Sequence, residues 1–486
     1  MRHTTTAASN PARHAAFERP MAHDADHDAI ARGIVARLDR LPATRHIWMI
    51  VFLLSLGGCF EFYDLFMTGY IAPGLIKSGL FVKTSTSIFA MNSIAAFVAA
   101  TFLGLFIGTM GLGFLADRFG RRRIFVVALL AYTVASVLMA CQQSALGVNL
   151  CRLLAGIGLG VEMVTINTYV AELMPKDLRG RAFAITQIVP YCAVPLVALM
   201  SWWLVPQQPF GFDGWRFVVL ASAVGAAIVW AIRLGIPESP RWLVVSGQLD
   251  QAARVTQQIE RIVERQYGAP LPQPAPHEHS APTIERRFSD ILKAPYLKRT
   301  VMMSLFNAVS VIGFYGFSNW IPSLLTSKGV GLVNSLQYSF MMSIALPLGP
   351  AVFFYFADKV ERKWSLVGSA GAIAVFGLLF ANQTGSAGLI VFGFCMNLSL
   401  TIMTYSFQTY QSELYPTEIR ARAIGFVYSW SRLSAIFSGF LVSFFLRDFG
   451  ANGVFYMISG CMAFVMFLIG VMGPATKGLA LEDINR

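Results

Sequence analysis

Apolar residues in this chain recur in runs of about 20, the length that crosses a bilayer as a helix. Twelve runs can be marked, over residues 47–75, 86–115, 123–142, 147–172, 182–206, 215–236, 300–326, 332–356, 364–381, 386–411, 422–446 and 452–473. They are numbered here as spans 1 to 12. Most gaps between them are short, as in a compact helical bundle. The gap from Pro237 to Arg299 is different. Its polar and apolar positions predict an amphipathic helix over Leu249–Tyr267, then a proline-rich stretch, APLPQPAPHEHSAP, that cannot continue a helix. A second short helix is expected over Ile284–Leu292. The pattern divides the chain into a mostly disordered tail (1–46) with a short helix at Ala29–Arg40, a six-helix half (47–236), a linker (237–299), a second six-helix half (300–473) and a tail (474–486).

An internal repeat supports the two halves. ADRFGRR at Ala116–Arg122 recurs as ADKVERK at Ala357–Lys363, and YVAELMPKDLRGRA at Tyr169–Ala182 recurs as YQSELYPTEIRARA at Tyr410–Ala423. Both pairs are offset by 241 residues. The expected architecture is an all-α membrane protein of twelve transmembrane helices in two pseudo-symmetric halves. In transporter folds such halves rock about a site near the membrane midplane.

Composition agrees. Of 486 residues 55% are hydrophobic and 13% charged, against about 25% charged in soluble proteins. The net charge of +12 is explained by topology rather than by nucleic acid. With span 1 running outward, thirty-one Lys and Arg residues fall on inner segments and five (Lys77, Lys83, Arg216, Lys328, Arg447) on outer ones. That asymmetry places both termini in the cytoplasm and the protein in the plasma membrane, the inner membrane of a bacterium. The six cysteines lie in or beside apolar runs with no C-x-x-C pair, and read as packing residues. No apolar segment in the first 46 residues resembles a signal peptide.

Charges inside the spans carry the chemistry. Glu61 and Asp64 sit three residues apart in the middle of span 1, where a charge costs roughly 2.5–3.5 kcal/mol. Arg152 and Glu162 lie in span 4 and Arg432 in span 11. Three acids against two arginines leave one negative charge uncompensated, so one acid should hold a proton at rest. Permanent structural pairing is the plainer alternative. At the inner helix ends Asp117, Arg121, Glu172, Arg179, Glu238 and Arg241 have counterparts in Asp358, Arg362, Glu413 and Arg420. They can form a gating lattice or serve as ordinary membrane anchors. GIGLG at Gly156–Gly160 follows no strand, so it is read as close helix packing, not a phosphate loop.

The chain resembles the major facilitator superfamily from about Ile47 to Ile484. GFLADRFGRRR (Gly113–Arg123) is similar to that superfamily's motif between spans 2 and 3. RLLAGIGLGVEMVTINTYVAELMPKDLRGR (Arg152–Arg181), PESPRWL (Pro237–Leu243) and GPATKGLALEDI (Gly473–Ile484) resemble the sugar-porter branch and its metabolite and organic-ion relatives. The resemblance implies an inner gate built from the charged helix ends. It also implies a proton-coupling acid at Asp64, after Tyr63, partnered by Arg152. Glu61 and Glu162 are additions to that pattern; Glu61 is either a second proton site or the residue that keeps Asp64 partly protonated.

Gln187 falls where many sugar porters place a substrate-binding Gln. Span 7 departs from the sugar pattern, with Val309–Ser310, Tyr315 and Asn319–Trp320, and span 10 reads TYSFQTYQ (Thr404–Gln411). ELYPTEIRARAIG followed by Arg432 is closer to the niacin and organic-ion relatives. Arg432 is either a clamp for an anion or a partner for an internal acid.

The expected function is proton-coupled symport of a small organic metabolite, an organic or aromatic acid first and a sugar second, by alternating access. Asp64, Glu61, Arg152 and Glu162 are the coupling residues. Arg432, Gln187, Tyr315, Asn319, Trp320 and Gln408 are the substrate residues. No cofactor beyond the proton gradient, no nucleic acid and no metal are expected, and a monomer is. A non-transporting sensor of the same fold is the remaining alternative. An enzyme is excluded because all seven histidines lie at or before His46 or in the linker.

Overall fold

The computed structural model describes residues 21–476 apart from 84–86, 88–89, 113, 234–235, 275–287, 295 and 357–358. Its described residues form helices and turns, with one isolated bridge between Val82 and Ser93 and no strand. Spans 1 to 4 are Arg45–Lys77, Ile94–Gly111 (closing in a π turn at Ile107–Gly111), Arg121–Ala140 and Ala145–Leu173. Span 6 is Gly214–Arg233, span 9 Arg362–Ala381 and span 10 Ser386–Glu413.

Three spans are broken, and in each the last residue before the break stands four residues ahead of a proline. Span 5 breaks at Cys192 between Arg179–Tyr191 and Ala193–Leu204. Span 7 breaks at Asn319–Trp320 between Tyr296–Ser318 and Ile321–Ser327. Span 8 breaks at Ile344 between Leu332–Ser343 and Ala345–Phe356. Pro195, Pro322 and Pro347 lack the N–H that would bond Tyr191, Ser318 and Ser343, so the ladder opens there. Spans 11 and 12 form one uninterrupted run, Thr417–Met472, that turns at Gly450 (φ 69°, ψ −172°). Among the described residues eleven helices are therefore long and apolar enough to cross a membrane, and the last holds two crossings.

Small residues set how closely the helices approach. A Cβ on Gly156 would lie 2.6 Å from the Thr101 carbonyl oxygen, and one on Gly160 2.5 Å from that of Leu105. Gly104 and Gly108 face them from span 2. GIGLG is thus one side of a double glycine seam, which in lipid permits the backbone contact that larger side chains forbid. The halves meet through spans 2 and 11, 5 and 8, and 1 and the Ile321–Ser327 piece of 7.

The segment before span 1, expected to be mostly disordered, holds a helix from Met21 to Asp39 that is longer than Ala29–Arg40. Ile34 and Leu38 are buried, Ile34 against Leu243 and Ala252. Glu260 of the linker helix Leu249–Tyr267 pairs with Arg37 and, at 2.6 Å, with Arg40. Asp39 accepts from Arg241 at 2.6 Å and from the Lys176 backbone at 3.1 Å. These contacts fasten the N-terminal helix to the first half on the face that carries the linker. Of Ile284–Leu292, only a 3₁₀ turn at Phe288–Leu292 lies among the described residues.

Burial alone would push the Glu260 carboxyl up, but Arg37 and Arg40 outweigh it and hold it below the usual carboxylate range. A lowered folded pKa stabilises the docked helix above the unfolded value of about 4.3 and is lost as pH falls through the folded one. Glu260→Gln should therefore weaken docking by about 1–3 kcal/mol at neutral pH. The expected readout is faster amide hydrogen exchange over residues 29–39, with spans 1 and 4 unchanged.

Candidate functional site

Asp64 and Arg152 meet inside the first half, and neither side chain touches solvent (0% exposed). Arg152 Nη1 lies 2.7 Å from Asp64 Oδ1 and 2.6 Å from Oδ2. Its Nη2 donates to the Asp64 backbone oxygen at 2.7 Å and to Thr68 Oγ1, and Nε donates to Thr101 Oγ1 at 2.9 Å. The guanidinium also lies over the Phe97 ring, 5.6 Å from its centre. Tyr132 donates to Asp64 Oδ1 at 2.9 Å, and its hydroxyl lies 3.0 Å from Ser222 Oγ. Tyr63 points away, donating to the Val218 carbonyl at 3.1 Å.

Glu61 occupies a different place. Positions three apart on a helix differ by about 60° around the axis. That rotation takes Asp64 into the half-bundle and Glu61 into a central cavity between the halves. The cavity has a volume of about 140 Å³ and is lined by spans 1, 4, 5, 7, 10 and 11. Arg432 of span 11 lines it too, and both it and Glu61 are 6% exposed. The charges acting on Glu61 are those of Arg432 and Glu162, not Asp64. Glu61 and Asp64 thus face different surroundings, Glu61 the central cavity and Asp64 the interior of the first half. Glu162 is fully buried in span 4.

Among the described residues Arg432 forms no ion pair with a carboxylate. Its Nη2 reaches Met163 Sδ at 2.8 Å and Tyr428 Oη at 3.4 Å, and the guanidinium stacks over the Tyr428 ring at 5.1 Å. Gln187, Tyr315 and Gln408 line the same cavity. Aromatic rings floor it, with Phe62 and Tyr191 edge to face at 4.7 Å and Phe314 and Tyr315 at 5.0 Å.

Asn319 and Trp320, expected among the substrate residues, do not line it. They sit at the break in span 7, buried against span 1, where a Cβ on Gly69 would come 2.1 Å from the Asn319 carbonyl oxygen. The proline-forced break turns them into the closure of the face opposite the linker. Trp202 stacked on Phe340 at 5.9 Å and Lys83 donating to Thr326 at 3.4 Å close that face further. Toward the linker face the cavity ends at exposed Asn167 and half-buried Gln408.

The charged helix ends pair within each half. Arg121 binds Glu172 at 2.8 Å, and Arg362 binds Glu413 at 3.2 Å, the same pair one repeat later. Glu238 accepts from the backbones of Arg122 and Ser239 at 3.0 Å rather than pairing with Arg241. Arg241 goes to Asp39, and Arg420 donates to the Tyr415 carbonyl at 3.2 Å. Arg179 stands near Arg241 and Asp39 without joining their ion pair. Asp358 and the Asp117 side chain lie outside the described residues. Asp39, Thr68, Thr101, Tyr132, Ser222 and Tyr428 were not singled out from sequence; all but Tyr428, which stands one turn from Arg432, act on groups far away in the chain that nothing local marks.

Residues 50–486 match the family described as Sugar (and other) transporter. YyaJ of Bacillus subtilis (strain 168), named for metabolite transport, is 33% identical over 444 residues, covering 91% of this chain and 95% of that protein. The niacin transporter NiaP of Acinetobacter baylyi (strain ATCC 33305 / BD413 / ADP1) is 27% identical over 456 residues, covering 93% and 99%. The xylose transporter XylE from E. coli, in a partially occluded inward open conformation, superposes with a TM-score of 0.70 at 18% identity over 89% of this chain and 99% of that one. That last likeness establishes the fold, twelve helices of the major facilitator kind.

Removing one partner of a sealed ion pair strands the other charge, at about 3–5 kcal/mol. Arg152→Met should lower the melting temperature in detergent accordingly, and Asp64→Asn added to it should recover most of the loss. A double variant no more stable than Arg152→Met would show that the stranded carboxylate is not what the single variant suffers from.

Proposed function

The chain belongs to the sugar (and other) transporter family of multi-pass membrane transporters, and we propose that it is a proton-coupled symporter importing a small organic acid by alternating access. The observation that carries this reading is Arg432. A nearly buried guanidinium faces the central cavity and is held by a thioether, a phenol and a ring instead of a carboxylate. Its planar fork suits a carboxylate donated by a ligand. The cavity's volume compares with the roughly 150 Å³ that takes up one benzene ring, and its aromatic lining suits a planar molecule. Gln187, Tyr315 and Gln408 complete the contacts.

Asp64 is the proton carrier. Ionised, it is held by Arg152 and Tyr132; protonated, it loses the charge attraction to Arg152 and frees the guanidinium to rearrange. The names of relatives support coupling, among them an arabinose-proton symporter of Bacillus subtilis (strain 168) at 24% identity. Glu162, buried near Glu61, is a second coupling group. The repeated pairs Arg121–Glu172 and Arg362–Glu413, with Glu238 and Arg241 beside them, serve as the hinge region of the inner gate. The distribution of Lys and Arg supports cytoplasmic termini in the plasma membrane, and the carrier is proposed to work as a monomer driven by the proton gradient alone.

A sugar is the second reading, supported by the glutamines at the cavity wall and by the family's description. In reconstituted vesicles, Asp64→Asn should abolish accumulation against a gradient while leaving exchange of substrate across the membrane. Arg432→Lys should weaken carboxylate binding about tenfold, the loss of one charge-assisted bond. Accumulation by Asp64→Asn at the parent level, or sugar uptake that ignores competing carboxylates, would overturn the corresponding assignment.

A further inference from the structure

We propose that Glu61 and Arg432 form a two-point site for an amphoteric ring compound, a carboxylate at one end and a protonated amine or similar donor at the other. The proposal rests on the carboxylate reading of Arg432 given above and assigns the role of Glu61.

Glu61 comes from span 1 of the first half, Arg432 from span 11 of the second, and both line one cavity. Each feels the other's charge, yet no ion pair joins them. Among the described residues the Glu61 carboxylate has no hydrogen bond and no ion pair, although it is only 6% exposed. A carboxylate this buried is costly unless a donor answers it. A simple acid docked on Arg432 worsens matters, because it neutralises the cation that shares the cavity with Glu61. A ligand that brings its own donor answers both charges at once. Phe62, Phe66 and Phe314 lie along the cavity wall and offer faces and edges for a ring. A molecule held at both points touches both halves and so reports its presence to each.

The test is calorimetric binding to the purified full-length chain of four probes: benzoate, benzylamine, and meta- and para-(aminomethyl)benzoate. One of the two zwitterions should bind at least about tenfold tighter than benzoate, the worth of one hydrogen bond to a charged group. Glu61→Gln should bring that ratio to near one, and Glu61→Asp, which keeps the charge, should retain part of it. Equal affinity of benzoate and both zwitterions for the parent, or an undiminished ratio in Glu61→Gln, overturns the proposal. If benzoate binding then still requires Arg432, judged by Arg432→Gln, the carboxylate reading survives that failure. If benzoate binds Arg432→Gln as well as the parent, or no carboxylate binds at all, that reading falls and the two-point site with it.

Discussion

The ion pair between Asp64 and Arg152 organises the first half. Two full charges without contact to solvent are tolerable only when every remaining donor and lone pair finds a partner. The partners come from most of the half: Thr68 with Asp64 from span 1, Thr101 from span 2, Tyr132 from span 3 and Ser222 from span 6. Five helices are thereby tied to one point. Among the described residues the second half holds no ion pair sealed from solvent in this way. The duplication preserved the ion pairs at the helix ends and abandoned the one in the middle. In the proposed proton-coupled cycle, a proton arriving at Asp64 acts on the first half alone.

The cavity has a different character because it belongs to neither half. Its charges, Glu61 and Arg432, project from opposite sides and are left apart. Inside one half such groups would be tied off by neighbours, as Asp64 is. Across a boundary that has to open and close, a permanent ion pair would lock the halves together. Keeping the two apart leaves their interaction for a ligand to supply, and that is how binding free energy can reach both halves.

Much of the fold was legible in the chain because lipid enforces long apolar runs, and because the repeated motifs fixed which helix corresponds to which. Glycines at Gly156 and Gly160 foretold a close seam, though not that Gly104 and Gly108 would form its other side. Asp64 and Arg152 could be paired through family resemblance, while the hydroxyls that hold them could not, since serine and threonine are common in any span. The N-terminal helix was legible only over Ala29–Arg40, and its docking was not, for a related reason. Its polar sequence looks unstructured until Glu260, more than 200 residues away, brings a carboxylate to Arg37 and Arg40. Asn319 and Trp320 were read from their place in the family's span 7 pattern, which gives a position along the helix but not that a proline breaks the helix there.

That break bears on how the carrier moves. At the closed face span 1 meets span 7 through Gly69, backbone against backbone, with no side chain between. The Asn319 amide is buried there with neither its oxygen nor its nitrogen paired among the described residues. A buried amide without a protein partner is disfavoured by about 1–3 kcal/mol, and in the proposed alternating-access cycle that disfavour ends when the spans part and the group meets water. The closure therefore combines tight packing, which favours it, with an unpaired polar group, which opposes it. A gate built this way holds without being deep. Two conformations separated by a few kcal/mol are what a carrier needs if the modest free energy of a bound ligand is to tip it from side to side.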